Sequence, residues 1–513
     1  MNQLFSTKTN FQNHTVYQFD PEKRNITLDQ TIPVTEKKYF AVTGDTGKIN
    51  QLPCAFYLKD LHDVTLDFGG AVITMHGKIQ PFIIDNCSNI TIKNVTVEYD
   101  RSLYTELDII SRSGREIRAH AKEKFPCRAE NGYFIPYSKT WENTSIHTDG
   151  PIFIQAFEKD TREGAGLAVV YLGEEIVEQE TPPASDILHV RVRQEGEDFI
   201  FCGDFPEHWN ENHTIVIGHE HRSLSSVAMF HSENIEIQNY RILNGGGMGF
   251  LALYTRNITL RNVRLTYDPL SHGIITNAAD GVHFVSCKGK ISISDSIFEG
   301  TVDDALNIHS NFYQVERTEE NTVYAVRTKQ SHVFPADSDV FGIGDEIAVL
   351  RGKSMEEHGR YHIIDKKISD RWHIALTLDR AGVFAPGDLI ENLSTNAEIE
   401  IRNTRFGKAN SHLRLQSREK VVVDQCQLSL PILLTGDADY WFESDPIRDL
   451  TITNCQFFGE RANIRIIPEG FTPTLKAPYY HTGIKILNNC FESSIPLELH
   501  DRGDVLFVNN QIL

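Results

Sequence analysis

A short phrase recurs along this chain: a turn residue, a strand of alternating β-branched residues, an Asn or Asp, then a second alternating strand. It reads Ser88-Asn89-Ile90-Thr91-Ile92-Lys93-Asn94-Val95-Thr96-Val97 and returns as Arg256-Asn257-Ile258-Thr259-Leu260-Arg261-Asn262-Val263-Arg264-Leu265. Shorter copies start at Glu233, Lys290, Ala397, Lys420, Asp449 and Gly483. Period-two alternation makes each copy a strand with one buried face. Asn234 and Asn257 lie 23 residues apart, and Glu398 and Lys420 lie 22 apart. A β-rich repeat of that length, with no helical periodicity, predicts a parallel β-helix. Leucine-rich repeats would need a recurring LxxLxL frame, and a propeller blade roughly 40 residues per repeat.

The repeat is interrupted twice, over 101–220 and 311–393, where other strands and the turn phrases Gly203-Asp204, Gly344-Asp345 and Gly387-Asp388 occur. The expected fold is all-β: a right-handed parallel β-helix with two inserted small β-barrel-like domains. Helix coils are expected over 1–100, 221–310 and 394–513, with the insertions between them. Independent binding modules are the alternative reading of the insertions.

Two segments in the central coils stand out. Asp280-Gly281-Val282-His283-Phe284 is followed, 24 residues after Asp280, by Asp304-Ala305-Leu306-Asn307-Ile308-His309, with Asp303 immediately before it. Aligned coil on coil, Met248-Gly249-Phe250-Leu251, Asp280-Gly281-Val282-His283 and Asp304-Ala305-Leu306-Asn307 form one column, with neighbouring coils about 4.8 Å apart. Leu306 and Ile308 then point inward, so Asp303, Asn307, His309 and His283 share a polar outer face. Clustered acids repel, and some stay protonated near neutral pH unless a cation neutralises them. Inverting glycosidases need such a pair, one acid and one base, about 6.5 to 9.5 Å apart. Loop capping by Asp-Asp and a calcium site are the competing readings. His219 and His221 place two imidazoles on one strand face without a third ligand, and Gly245-Gly246-Gly247-Met248-Gly249 reads as a tight corner between coils. Further on, Asp437, Trp441 and Glu443 interrupt the β pattern; Trp441 could stack on a sugar face while Asp437 or Glu443 binds hydroxyls, and core packing of Trp441 and Phe442 is the alternative.

Charge narrows the partners. The formal net charge of −20, from 50 basic and 70 acidic residues, disfavours nucleic acid, anionic membranes and polyanionic glycans. No apolar run approaches the roughly 18 residues of a membrane helix, so no membrane insertion is expected. The first ten residues carry no apolar leader core, so a cytoplasmic protein or a mature secreted form is expected. Eight cysteines without a CxxC pair do not make a disulfide scaffold. Cys87, Cys287, Cys426, Cys455 and Cys490 sit in or beside alternating strands and are expected as buried free thiols.

Several ordered segments resemble glycoside hydrolase family 110, the α-1,3-galactosidases that include blood-group-B-cleaving enzymes. They are Asn94 to Arg101, Gly247 to Ala252, Gly436-Asp437-Ala438 and Trp441-Phe442-Glu443-Ser444, with the strongest match at Asp280-Gly281-Val282-His283-Phe284 and Asp303-Asp304-Ala305-Leu306-Asn307-Ile308-His309. One departure is Ser310 after His309, where the family often has Gly. The resemblance implies a β-helix with inserted barrels, inversion of configuration, no required metal or other cofactor, and release of terminal α-1,3-linked galactose from an oligosaccharide or glycoconjugate; it is compatible with a homodimer. The family's acids fall on Asp280, Asp303 and Asp304, with Asp303 taken as general acid and Asp280 and Asp304 as bases. His283, Asn307, His309, Asp437, Trp441 and Glu443 are the expected substrate contacts. The competing functions are an endo-acting polygalacturonase-like hydrolase or lyase, and a noncatalytic glycan-binding β-helix.

Overall fold

The computed structural model describes residues 2–3, 10–19, 21–22, 24–35, 52–143, 152–172, 188–219, 224–267, 273–327, 340–370, 372–408, 412–438, 441–474, 479–500 and 504–513. Its repeating phrases stack as parallel strands, in register apart from shifts at Asp67–Ala71 and Arg256–Ile258. On one face of the coil, Val64, Ile90, Ile235, Ile258, Ile291, Ile399, Val421, Leu450 and Ile484 pair in succession, each buried. On another, Leu58, Ile84, Met229, Ala252, Phe284, Ile308 and Leu415 form a second buried column. The apolar parity of each strand therefore meets itself from coil to coil, and the chain folds into the expected parallel β-helix.

The Asn or Asp of each phrase has its own physical reason. Asn89, Asn234 and Asn257 adopt φ of 55°, 56° and 56°, a left-handed conformation that Asn tolerates better than most residues. Their side chains form a ladder: Asn257 donates to Asn234 at 2.9 Å, Asn234 to Asn89 at 2.9 Å, and Asn89 to Asp63 at 2.7 Å. The second Asn of the phrase repeats the device, with Asn262 donating to Asn239 at 2.7 Å and Asn239 to Asn94 at 2.8 Å. Asp63 closes the first ladder by accepting both from Asn89 and from the His14 and His62 imidazoles at 3.0 and 3.1 Å.

The interruptions carry closed sheets, antiparallel except where Gly164–Leu172 pairs in parallel with Leu188–Glu195 in the first. Seven strands between Tyr104–Ser113 and His213–Gly218 close into a barrel around Leu107, Ile154, Val170, Phe201 and Trp209. Six strands, Leu306–Glu319, Thr322–Val326, Glu346–Arg351, Glu356–Ile368, His373–Leu378 and Leu389–Asn392, pair in a second ring. The strand Leu306–Glu319 belongs to both bodies: it pairs with Val282–Val285 at its start and with Thr322–Val326 at its end. All eight cysteines are free thiols; Cys87, Cys287, Cys426 and Cys455 are buried as expected, whereas Cys490, like Cys127 and Cys202, is only half-buried.

Candidate active site

Register brings the acids together. Gly249 N–H donates to the Asp280 carbonyl and Gly281 N–H to the Asp304 carbonyl, both at 2.9 Å, so Asp280 and Asp304 occupy equivalent places on consecutive coils. The small residue after Asp280 is required, since a Cβ on Gly281 would lie 2.6 Å from the Ala305 carbonyl oxygen. Asn277, wholly buried, donates its amide to the carbonyls of Ala279 at 3.1 Å and Asp280 at 2.7 Å. Asp303 accepts the Asp304 N–H at 3.0 Å on its side chain and the Thr301 hydroxyl at 3.0 Å on its carbonyl. Asp280, Asp303 and Asp304 each place a carboxylate oxygen within 4.8 Å of the others, with Asp303 the most exposed. This is tighter than the 6.5 to 9.5 Å expected of an acid and base on opposite faces of a sugar; coils stacked at about 4.8 Å hold neighbouring side chains close.

The cations around this cluster account for its stability. Arg414 reaches Asp304 with Nε at 3.2 Å and Glu443 with Nη1 at 3.2 Å. Burial opposes its charge, but Asp304, Glu443, Glu469 and Asp303 hold its pKa well above the usual value. The His412 N–H donates to Asp304 at 3.2 Å. Burial likewise opposes ionisation of Glu443, yet His309, Arg414 and His283 hold its carboxyl below the ordinary range. His283 Nδ1 lies 2.8 Å from Asp280 Oδ2, and His283 Nε2 lies 3.1 Å from His309 Nε2. Such an oxygen cluster also suits a hard cation; here Arg414 supplies the neighbouring positive charge.

The other sequence candidates divide. His283, Asn307 and Arg414 pair side by side across three coils, and the Asn307 amide donates to Glu443 at 3.3 Å, so His283, Asn307, His309 and Glu443 adjoin the acids. Asp437 does not present an open carboxylate: it is wholly buried and accepts the Trp441 N–H at 2.5 Å, shaping the loop. Trp441 is half-buried, whereas Phe442 joins a core with Phe312 and Tyr480. His219 is buried with Nε2 at 2.7 Å from the Thr105 hydroxyl; His221, Asp439 and Tyr440 lie outside the described residues. A groove lined by Asn262, Arg264, Asp295, Asn403, Arg405 and Gln427 contains none of the converging acids.

Arg414, His412 and Asn277 are absent from the sequence expectations. The signal for Arg414 was its place in Leu413-Arg414-Leu415, which repeats the parity of Leu306-Asn307-Ile308. The long interruption between the two coils hides that equivalence. Both barrels brace the site: Tyr104, Phe125 and Phe157 pack on Ile274, Ile275 and Val302 beside the acids, and Ala348, Leu350 and Leu389 pack on Phe442 next to Glu443.

No protein-family model matches the chain. Alpha-1,3-galactosidase B of Bacteroides thetaiotaomicron is 27% identical over 483 residues, covering 89% of this chain and 74% of that protein. Alpha-1,3-galactosidase A of Bacteroides fragilis is 25% identical over 515 residues, covering 93% and 79%. The chain is a distant homologue of the α-1,3-galactosidases. Alpha-1,3-galactosidase B of Akkermansia muciniphila is 25% identical over 90% of this chain and 58% of its own length. Among solved structures, the A-module of mannuronan C-5 epimerase AlgE4 of Azotobacter vinelandii covers 97% of this chain and 88% of its own at 9% identity and a TM-score of 0.26. The family 28 exopolygalacturonase of Yersinia enterocolitica covers 95% and 75% at 10% identity and a TM-score of 0.28. Superpositions that loose bear on neither fold nor chemistry. The homologues of this chain are glycoside hydrolases.

Proposed function

We propose that this chain is an exo-acting, inverting glycoside hydrolase that releases terminal α-1,3-linked galactose. The observation that carries this is the convergence of Asp280, Asp303 and Asp304 within 4.8 Å on consecutive coils, in a chain whose homologues are α-1,3-galactosidases. Asp304 faces the Arg414 guanidinium and Asp280 faces His283, which suits both to act as carboxylates that polarise a water. Asp303, the most exposed of the three, protonates the leaving glycosidic oxygen. Water oxygen bonds to C1 as its proton passes to a base, the C1–O bond breaks, and the Asp303 proton goes to the leaving sugar. Barrels on both flanks suit recognition of a chain end.

The close carboxylate spacing favours one rival, retention through a glycosyl-enzyme, whose carboxyl groups stand about 5 to 5.5 Å apart. Proton NMR of the first turnovers on an α-1,3-galactoside separates them. β-Galactose is expected; α-galactose would establish retention, and an unsaturated product would establish a lyase.

A further inference from the structure

Asp280, His283 and His309 stand in a line that ends on a backbone carbonyl. The contacts are Asp280 Oδ2 to His283 Nδ1 at 2.8 Å, His283 Nε2 to His309 Nε2 at 3.1 Å, and His309 Nδ1 to the Ser310 carbonyl at 2.6 Å. All three side chains are buried. A carbonyl oxygen can only accept, so His309 carries its proton on Nδ1. Burial pushes this imidazole down to about 4 against the pull of Glu443, leaving it neutral with a lone pair on Nε2. The contact between the two ring nitrogens then requires the proton on His283 Nε2. A second proton must lie between His283 Nδ1 and Asp280 Oδ2, because two bare acceptors would not approach to 2.8 Å.

We propose that His283 is a positioning residue for the reaction, locked by His309 and Ser310 in the one tautomer that shares a proton with Asp280 and leaves the second Asp280 oxygen for the attacking water. The inference rests on the hydrolytic reading above. In the chemical step the Asp280–His283 pair goes from one shared proton to two as water gives up a proton, and Asp303 goes from one to none. The charged and titratable groups facing His283 are Asp280 on its own segment, His309 on the next coil, Glu443 on the crossing strand, and Arg414 and Asp304 beside them. Leu251, its neighbour on the preceding coil, is apolar. No other arrangement of protons satisfies all three contacts while His309 is neutral.

His283→Gln tests the proposal, because a Gln amide can donate to Asp280 but cannot share an ionisable proton with it. The expected result is a loss of kcat of about 10²-fold, with KM changed little, together with a displaced high-pH decline in kcat, which then follows the Asp303 proton alone. His309→Gln, which keeps an acceptor for His283 Nε2–H, should retain more activity than His309→Phe. A His283→Gln enzyme with the wild-type kcat and pH profile would overturn the proposal. Nitrogen-15 histidine NMR of the substrate-free wild type reads the same feature without turnover or substitution. Protonated Nε2 on His283 and a strongly deshielded proton toward Asp280 are expected; a bare His283 Nε2 would overturn it. Wild-type protein that shows this NMR signature but cleaves no galactoside would refute the hydrolytic reading and leave the proton sharing in place.

Discussion

Arg414 bridges Asp304 and Glu443 from a side chain 15% exposed, so its removal leaves two buried carboxylates facing each other without a cation. Arg414→Met should destabilise the fold by about 3–5 kcal/mol in urea unfolding, and adding Glu443→Gln should recover part of that loss. Unchanged stability would mean that solvent already screens the pair. Lysine is a poor substitute, because a point charge cannot contact both acids as the planar guanidinium does. Leaving-group dependence separates Asp303 from Asp304. Asp303→Asn should lose about 10³-fold in kcat on an α-1,3-galactosyl sugar but far less on a dinitrophenyl α-galactoside, whose leaving group needs no proton. Asp304→Asn should lose comparably on both. The reverse pattern would exchange the two roles.

Within a coil, the turn is held by side chains that stack on their counterparts above and below. Asn257 donates to Asn234 and accepts the Lys290 N–H at 3.0 Å, with both asparagines at positive φ. Asn257→Ala loses both bonds and strains the left-handed turn, and should cost about 1–3 kcal/mol; Asn257→Gly, which keeps the turn, should cost less. Equal losses would assign the effect to the ladder alone. This element was plainly legible in the sequence, because the same turn residue followed by an alternating strand recurs from coil to coil, and each copy keeps its apolar residues on the inward parity. The meeting of Asp280 and Asp304 was legible for the same reason: both precede the same small-then-alternating phrase. Arg414 was not, since its coil resumes only after the second barrel, and register cannot be counted through a segment that obeys a different pattern. The loop from Asp437 to Glu443 was hidden for another reason. Composition shows aromatics and acids, but only the fold decides that Asp437 spends its carboxylate on the Trp441 amide while Glu443 turns toward Arg414 and His309.

Across the whole molecule, three histidines are buried as neutral groups in three different bodies: His219 at the end of the first barrel, His309 in the site, and His481 among the C-terminal coils, at 6%, 4% and 0% exposure. Burial depresses all three, helped by Arg101 and Lys78 at His219 and by Arg448 at His481, and opposed by Glu443 at His309. His309 falls to about 4 and His481 to about 3, from 6.5. A folded-state value below the unfolded one means that the unfolded chain binds more protons as pH falls, so this stability is present above about 6.5 and is lost on acidification. His309 and His481 each contribute about 1.4 kcal/mol per pH unit in that window, so the two together should remove about 3 kcal/mol between pH 6 and 5, and His219 acts in the same direction. The depressed Glu443 works in the same direction at lower pH. Asp445, raised well above its usual value by burial and by Glu391, works oppositely: its contribution is present in acid and lost as pH rises. Urea unfolding at a series of pH values measures the slope. In His481→Gln the amide oxygen can still accept the Ile447 N–H that His481 Nδ1 accepts at 3.1 Å, while the titrating group is gone, so the slope should fall by about 1.4 kcal/mol per pH unit. A flat stability from pH 7 to 5 would mean that these imidazoles titrate in the folded protein as they do in the unfolded chain.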